Sequence, residues 1–257
     1  MSTASFQSML RATLAAACLI WAGGGRLVAH SDLEELLDEA NARLTEDPKK
    51  AEHYLYRGDL YRIAGEWKKA AKDFEKARKL DPKLDRYWYC HGRMWYDSGS
   101  PGLAASDLTT YLSAHPDDAQ ALLVRGRAFS QLRRFRESIA DYERCLRNLP
   151  RPGPEIFLEL ADACESHGDL GHAVTSVQLG LQRIGPAVSM QMRLIELFRK
   201  QSDYKSAQSV VDGLLRQSPE DEELLQVKAE LRNLASAQEK KVGKAPGTGP
   251  EAGKAKR

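Results

Sequence analysis

The residue types that carry chemistry are present in this 257-residue chain, but their spacing does not assemble a reaction centre. His167 and His172 stand five apart across a turn and read as surface residues rather than metal ligands, and the six histidines do not cluster. Ser100 lies in the sharp run Gly99-Ser100-Pro101-Gly102, which lacks the strand, helix and glycine spacing of a nucleophile elbow. Gly23-Gly24-Gly25 is embedded in an apolar N-terminal run, and no GxGxxG or GK[ST] phosphate cradle occurs. The zinc-protease HExxH and the redox CxxC are both missing. If the chain were cut after Ala29, His30 would join a free amine to an imidazole, a copper-binding pair; a place beside a processing site accounts for it without a metal. The expectation is a protein that is not an enzyme, with no catalytic residue, cofactor or metal site.

The elements that surround these residues are more informative. Residues 1–29 hold no acidic residue, and Arg11 precedes an apolar run from Ala12 to Gly25 that is followed by Arg26 and a small-residue end at Ala29. This is the outline of a secretory signal over 1–29. An uncleaved anchor through residues 12–25 and a transit peptide are the alternatives, and lipidation at Cys18 is the weaker one. The expected location is therefore exported, periplasmic or secreted, or else tethered to a membrane by that run. Residues 240–257 gather Lys240, Lys241, Lys244, Lys254, Lys256 and Arg257 against Glu251 alone, and a disordered basic tail is expected there. With a net charge of +2 for the whole chain, the body between the two ends is net acidic, so no nucleic acid is expected on it.

Between those ends one spacing recurs. In residues 51–84 the large and small residues Tyr54, Gly58, Tyr61, Gly65, Trp67, Ala70, Phe74, Ala77 and Pro82 alternate in a 34-residue unit. Trp88, Gly92, Trp95, Gly99, Ala104, Leu108 and Pro116 repeat it at 85–118, and Leu122, Gly126, Phe129, Phe135, Ser138, Tyr142, Cys145 and Pro150 at 119–152. Degenerate copies follow at 154–187 and 188–221. The chain resembles a tetratricopeptide repeat protein. The resemblance implies an all-α fold, a right-handed α-solenoid of helix-turn-helix repeats, with an N-terminal capping helix over 31–48 and a C-terminal one over 220–239. Small residues let two helices approach, and rings such as Phe74 fill the space left. Three departures mark expected weak points. Arg133 replaces the turn glycine, so that turn is expected to be looser. Tyr111 replaces a small residue. Pro150, Pro152 and Pro154 shift the register by one and mark a kink or hinge. In the fifth copy Ile195 stands in place of the close-contact glycine, so its packing is the least secure.

The resemblance also implies a function, gripping a protein or peptide in the groove lined by the first helix of each repeat. Carried over by position, the groove residues are Asp59, Arg62, Tyr89, Arg93, Tyr96, Arg127 and Gln131, then Asp162, Glu165, Glu196 and Arg199. Arg93 and Arg127 share one position in successive repeats, which points to an acidic group on the partner. The competing reading pairs Arg93 with Asp97 along one helix and leaves Arg127 solvated. Asp162, Glu165 and Glu196 form an acidic patch that either meets a basic partner or is relieved by Arg199. Cys145 and Cys164 fall on helices expected to pack together, and in an exported protein they can form a disulfide; small buried thiols are the alternative. An envelope assembly factor and an accessory subunit of an enzyme complex are the other functional readings.

Overall fold

The computed structural model describes residues 25–242, so the apolar run and most of the basic tail lie outside the described residues. Twelve helices and no strand occur among the described residues. They are α1 (Gly25–Glu46), α2 (Ala51–Ile63), α3 (Trp67–Leu80), α4 (Arg86–Asp97), α5 (Pro101–Ala114), α6 (Ala119–Gln131), α7 (Phe135–Asn148), α8 (Pro154–His167), α9 (Leu170–Ile184), α10 (Val188–Lys200), α11 (Tyr204–Leu215) and α12 (Glu222–Val242). The chain divides into two compact units, one ending at Leu132 and the other beginning at Arg133. In the first, α1 packs on α2, and the hairpins α2/α3 and α4/α5 stack in sequence with α6. In the second, α7 packs on α8, followed by the hairpins α8/α9 and α10/α11 and the closing helix α12. Each unit is a stack of helical hairpins, the α-solenoid arrangement that the 34-residue period dictates.

Each hairpin turns in the same way. Gly65, Gly99 and Gly168 all take left-handed backbone angles, with φ of 74°, 81° and 92°. The Gly65 amide bonds to the Arg62 carbonyl and the Glu66 amide to the Tyr61 carbonyl, a pair repeated at Gly99 and Gly168. Arg133 and Ser202 occupy the same place and adopt it too, each with φ of 59°. The expected loosening at Arg133 does not occur. Both residues take the backbone conformation of the glycines at a steric cost of roughly 1–2 kcal/mol that glycine avoids.

Packing inside each hairpin trades volume between two facing positions, one on each helix. A Cβ on Gly58 would lie 2.6 Å from the Phe74 ring, and one on Gly92 would lie 2.9 Å from Leu108 Cγ, so the glycines are what lets the helices close. The later hairpins divide the volume differently: Ala161 and Val177 are both buried, as are Ile195 and Val211. Ile195 therefore fits because the facing residue is small, and the fifth repeat is packed through Met190, Leu194, Leu197 and Phe198 like the others. Tyr111 is accommodated by turning its ring toward Tyr89, 5.2 Å between centroids, and by donating its hydroxyl to Asp118 at 2.9 Å.

The proline-rich joint is an ordered connection within the second unit. Pro152 is buried, and Arg183 of α9 donates to the carbonyls of Leu146 and Leu149 at 2.5 and 2.7 Å, satisfying the otherwise unpaired end of α7. The division between the two compact units falls in the turn after α6. Cys90, Cys145 and Cys164 are buried cysteines. Cys145 and Cys164 are completely shielded at small-residue packing positions. Burial pushes the thiols of Cys90 and Cys164 up to about 11.

Candidate functional site

In the first unit α2, α4 and α6 touch one another in succession and form one wall of first helices. Successive repeats are linked along this wall by pairs 35 residues apart. Arg62 Nη1 meets Asp97 of the next repeat, and Gln131 Nε2 donates to the Tyr96 hydroxyl at 3.3 Å. The second unit contains the same step, where Lys200 Nζ meets Glu165. One residue in the last turn of a first helix thus reaches one residue further along the next first helix.

Arg62 is the anchor of the first wall. It is 8% exposed, its Nε lies 2.7 Å from Asp59, and Asp97 takes its other end. Burial works against the guanidinium charge, but hydrogen bonds and proximity to Asp59 and Asp97 outweigh it, raising the pKa further. Arg93 does not pair with Asp97. It lies 3.7 Å from the other Asp59 oxygen, across the repeat boundary, and its guanidinium sits 5.3 Å above the Tyr89 ring. The expected one-helix pair is therefore replaced by an inter-repeat one, because Arg62 already occupies Asp97. Arg127 is half-buried on α6. Tyr89 is partly buried by its contact with Tyr111, while Tyr96 packs on the Ala104, Ala105, Ala128 and Phe129 cluster. Leu55 of α2 is buried in the core at 4% exposure.

In the second unit the acidic patch is already paired from within. Arg193 of α10, 16% exposed, reaches Asp162 at 2.6 Å, Glu165 at 2.5 Å and Glu196 at 3.0 Å. Burial pushes the Glu165 carboxyl up, but Lys200 and Arg193 overcome it, and the net direction is below the ordinary glutamate value of 4.5. Arg199, the expected neutraliser, turns instead to Glu230 of α12 at 2.9 Å. Arg193 is the residue that sequence reasoning missed, since its position belongs to no groove-lining set.

A second pairing also escaped the sequence reading. Arg57 forms a two-pronged bond to buried Asp73 at 2.7 and 2.8 Å, and in the next hairpin His91 Nδ1 lies 2.7 Å from Asp107 Oδ2. Both join residues 16 apart on the two helices of a hairpin. The bond to Asp73 is the main reason the Arg57 guanidinium is raised above its usual value. These contacts clamp the two helices of a hairpin together.

Two family models described as tetratricopeptide repeat match the sequence, one over residues 46–84 and the other over residues 95–151 and 123–189. The chain belongs to the tetratricopeptide repeat family. Solved structures of this repeat fold match it as well. Pseudomonas aeruginosa pilF is 21% identical with a TM-score of 0.60, covering 79% of this chain and 92% of that one. PilW, described as a type IV pilus biogenesis factor, gives 21% identity and 0.60 over 79% and 93%. YrrB, described as a tetratricopeptide repeat protein with an unusual peptide-binding site, gives 14% and 0.60 over 74% and 97%. At these identities the likeness is one of fold. No curated protein matches the chain in sequence. Among the described residues no helix is long and apolar enough to cross a membrane.

Proposed function

We propose that this tetratricopeptide repeat protein is a non-enzymatic scaffold that holds a peptide or partner protein along the wall formed by α2, α4 and α6, with an acidic group of the partner seated at Arg93. The observation that carries this reading is the unequal treatment of two arginines. Arg62 is saturated by two carboxylates at hydrogen-bonding distance. Arg93, 30% exposed, has only a 3.7 Å approach to Asp59, outside hydrogen-bond reach. An incoming carboxylate can take both prongs of that guanidinium without dismantling the ladder, and the faces of Tyr89 and Tyr96 supply rigid contact area beside it. Arg127 occupies the equivalent place one repeat on and extends the same track.

Replacing Arg93 and Arg127 together with alanine tests the proposal. Capture of bound proteins from the native extract is expected to fall at least tenfold while the melting temperature stays within about 2 °C. Undiminished capture contradicts the assignment of the wall. A second reading, a factor that positions another protein at a cell envelope, draws on the acid-free apolar run of residues 1–29, which supports export or tethering. Retention of the chain in a cytoplasmic fraction after expression in its own host removes that reading and leaves the binding wall untouched.

A further inference from the structure

The outward face of α3 carries lysines that no carboxylate among the described residues pairs. Ala70, Asp73, Phe74 and Ala77 turn toward the core, and Lys68, Lys72 and Lys76 stand opposite them, all exposed and aligned four residues apart. Among the described residues no carboxylate lies within ion-pair distance of these three, whereas Lys69 and Lys79 have Glu66 and Glu75. The contrast with the wall of first helices is chemical. There the cations Arg62 and Arg93 are arginines, each aimed at a carboxylate. Lysine is a hydrated point charge on a flexible stem, suited to a diffuse anionic surface rather than to one oriented carboxylate. Trp67 opens the same helix on the side of Ala70 and Phe74, away from the lysine row, so the row presents charge alone. The sequence adds a second signal, the apolar run of residues 12–25 ahead of α1.

We infer that the outer face of α3 lies on an anionic phospholipid surface, with Lys68, Lys72 and Lys76 among the headgroups. The row from Lys68 to Lys76 spans about 12 Å at 1.5 Å per residue, so all three reach a flat layer at once. Attraction of this kind weakens with salt, because exposed charges are screened beyond roughly 10 Å at 0.1 M. The surface is separate from the proposed peptide wall, which is built from α2, α4 and α6, so the protein can grip a partner while it rests on a bilayer.

The test is co-sedimentation of the full-length chain with vesicles of phosphatidylcholine alone and of phosphatidylcholine with about a third phosphatidylglycerol. Its companion is the variant Lys68→Gln/Lys72→Gln/Lys76→Gln, which keeps good helix formers at exposed positions and leaves both termini intact. The wild-type chain is expected to prefer the anionic vesicles and to lose that preference in 0.5 M salt. Neutralising three lysines is expected to weaken binding to anionic vesicles by about 100-fold, some fivefold for each charge near the surface. Binding to the neutral vesicles, which reports any insertion of the apolar run, is expected to be the same for both proteins. Equal binding of the two proteins to anionic vesicles overturns the inference, because the tail or the leader would then be responsible. So does the lack of any preference for anionic lipid, including the case in which the wild-type chain instead binds a nucleic acid or an acidic protein through this face.

Discussion

Substitution of Gly58 by alanine probes the packing that fixes every helix pair. The new methyl carbon would lie 2.6 and 2.7 Å from two carbons of the Phe74 ring and 3.3 Å from Asp73 Cβ. Carbon atoms pack best at about 3.5–4.0 Å, so the ring or the helix axis must retreat by roughly 1 Å. The ring has no room to do so, since Phe74 is 0% exposed and enclosed by Ala70, Ala77, Tyr87 and Met94. Overpacking of this kind costs about 1–3 kcal/mol, while alanine in a helix interior returns about 0.5–1 kcal/mol over glycine. The net expectation is destabilisation by about 1–2 kcal/mol. Gly213 on α11 is the matched control, because a Cβ there meets nothing nearer than the Arg216 guanidinium at 3.7 Å, and Gly213→Ala is expected to stabilise by up to about 1 kcal/mol. Urea unfolding followed by circular dichroism reads both. Gly58→Ala combined with Phe74→Val recreates the Ala161/Val177 division of volume found in the fourth repeat, so the two changes are expected to compensate by about 1 kcal/mol in a double-mutant cycle. A stabilising Gly58→Ala, or strict additivity in the cycle, would refute the account of why these helices approach so closely.

Ser202→Gly relieves a left-handed serine at φ 59° and is expected to raise stability by about 0.5–1 kcal/mol, the steric relief less the added freedom of the unfolded glycine; Arg133→Gly should behave alike in thermal melts. Because the Glu165 carboxyl is held below 4.5, its contribution is complete above that pH and drains away as the pH falls through the folded value. Glu165→Gln should therefore show a shallower loss of stability than wild type in urea titrations carried from pH 6 to pH 3. Cys90 and Cys164, raised to about 11 by burial, should resist iodoacetamide at pH 8 in the folded protein and react fully in guanidinium, as counted by mass spectrometry.

The repeat register was legible because it is written in residue size, and size is what stacked helices select. The helices run in successive pairs from Ala51 to Leu215, and the turn position recurs even where glycine is lost. What the sequence concealed was partner choice among charges. Arg93 has Asp97 four residues ahead on its own helix, yet Arg62 from the preceding repeat claims that carboxylate, a contact that only stacking creates. Arg193 and Arg199 differ by less than two helical turns, and which of them faces Asp162 and Glu165 depends on how α8 meets α10. The clamp between Arg57 and Asp73 is likewise a product of the hairpin's geometry, since neither residue stands out from the many charges around it. The proline cluster around Pro152 excludes helix, and what the sequence did not show is that Arg183 caps the end of α7 beside it.

The binding wall is tested most directly by placing a photo-crosslinking benzoylphenylalanine at Tyr96, on the wall, and separately at Leu103, which is 51% exposed on α5. Irradiation in the native extract is expected to attach a partner at Tyr96 and not at Leu103. Attachment at Leu103 with none at Tyr96 would contradict the account.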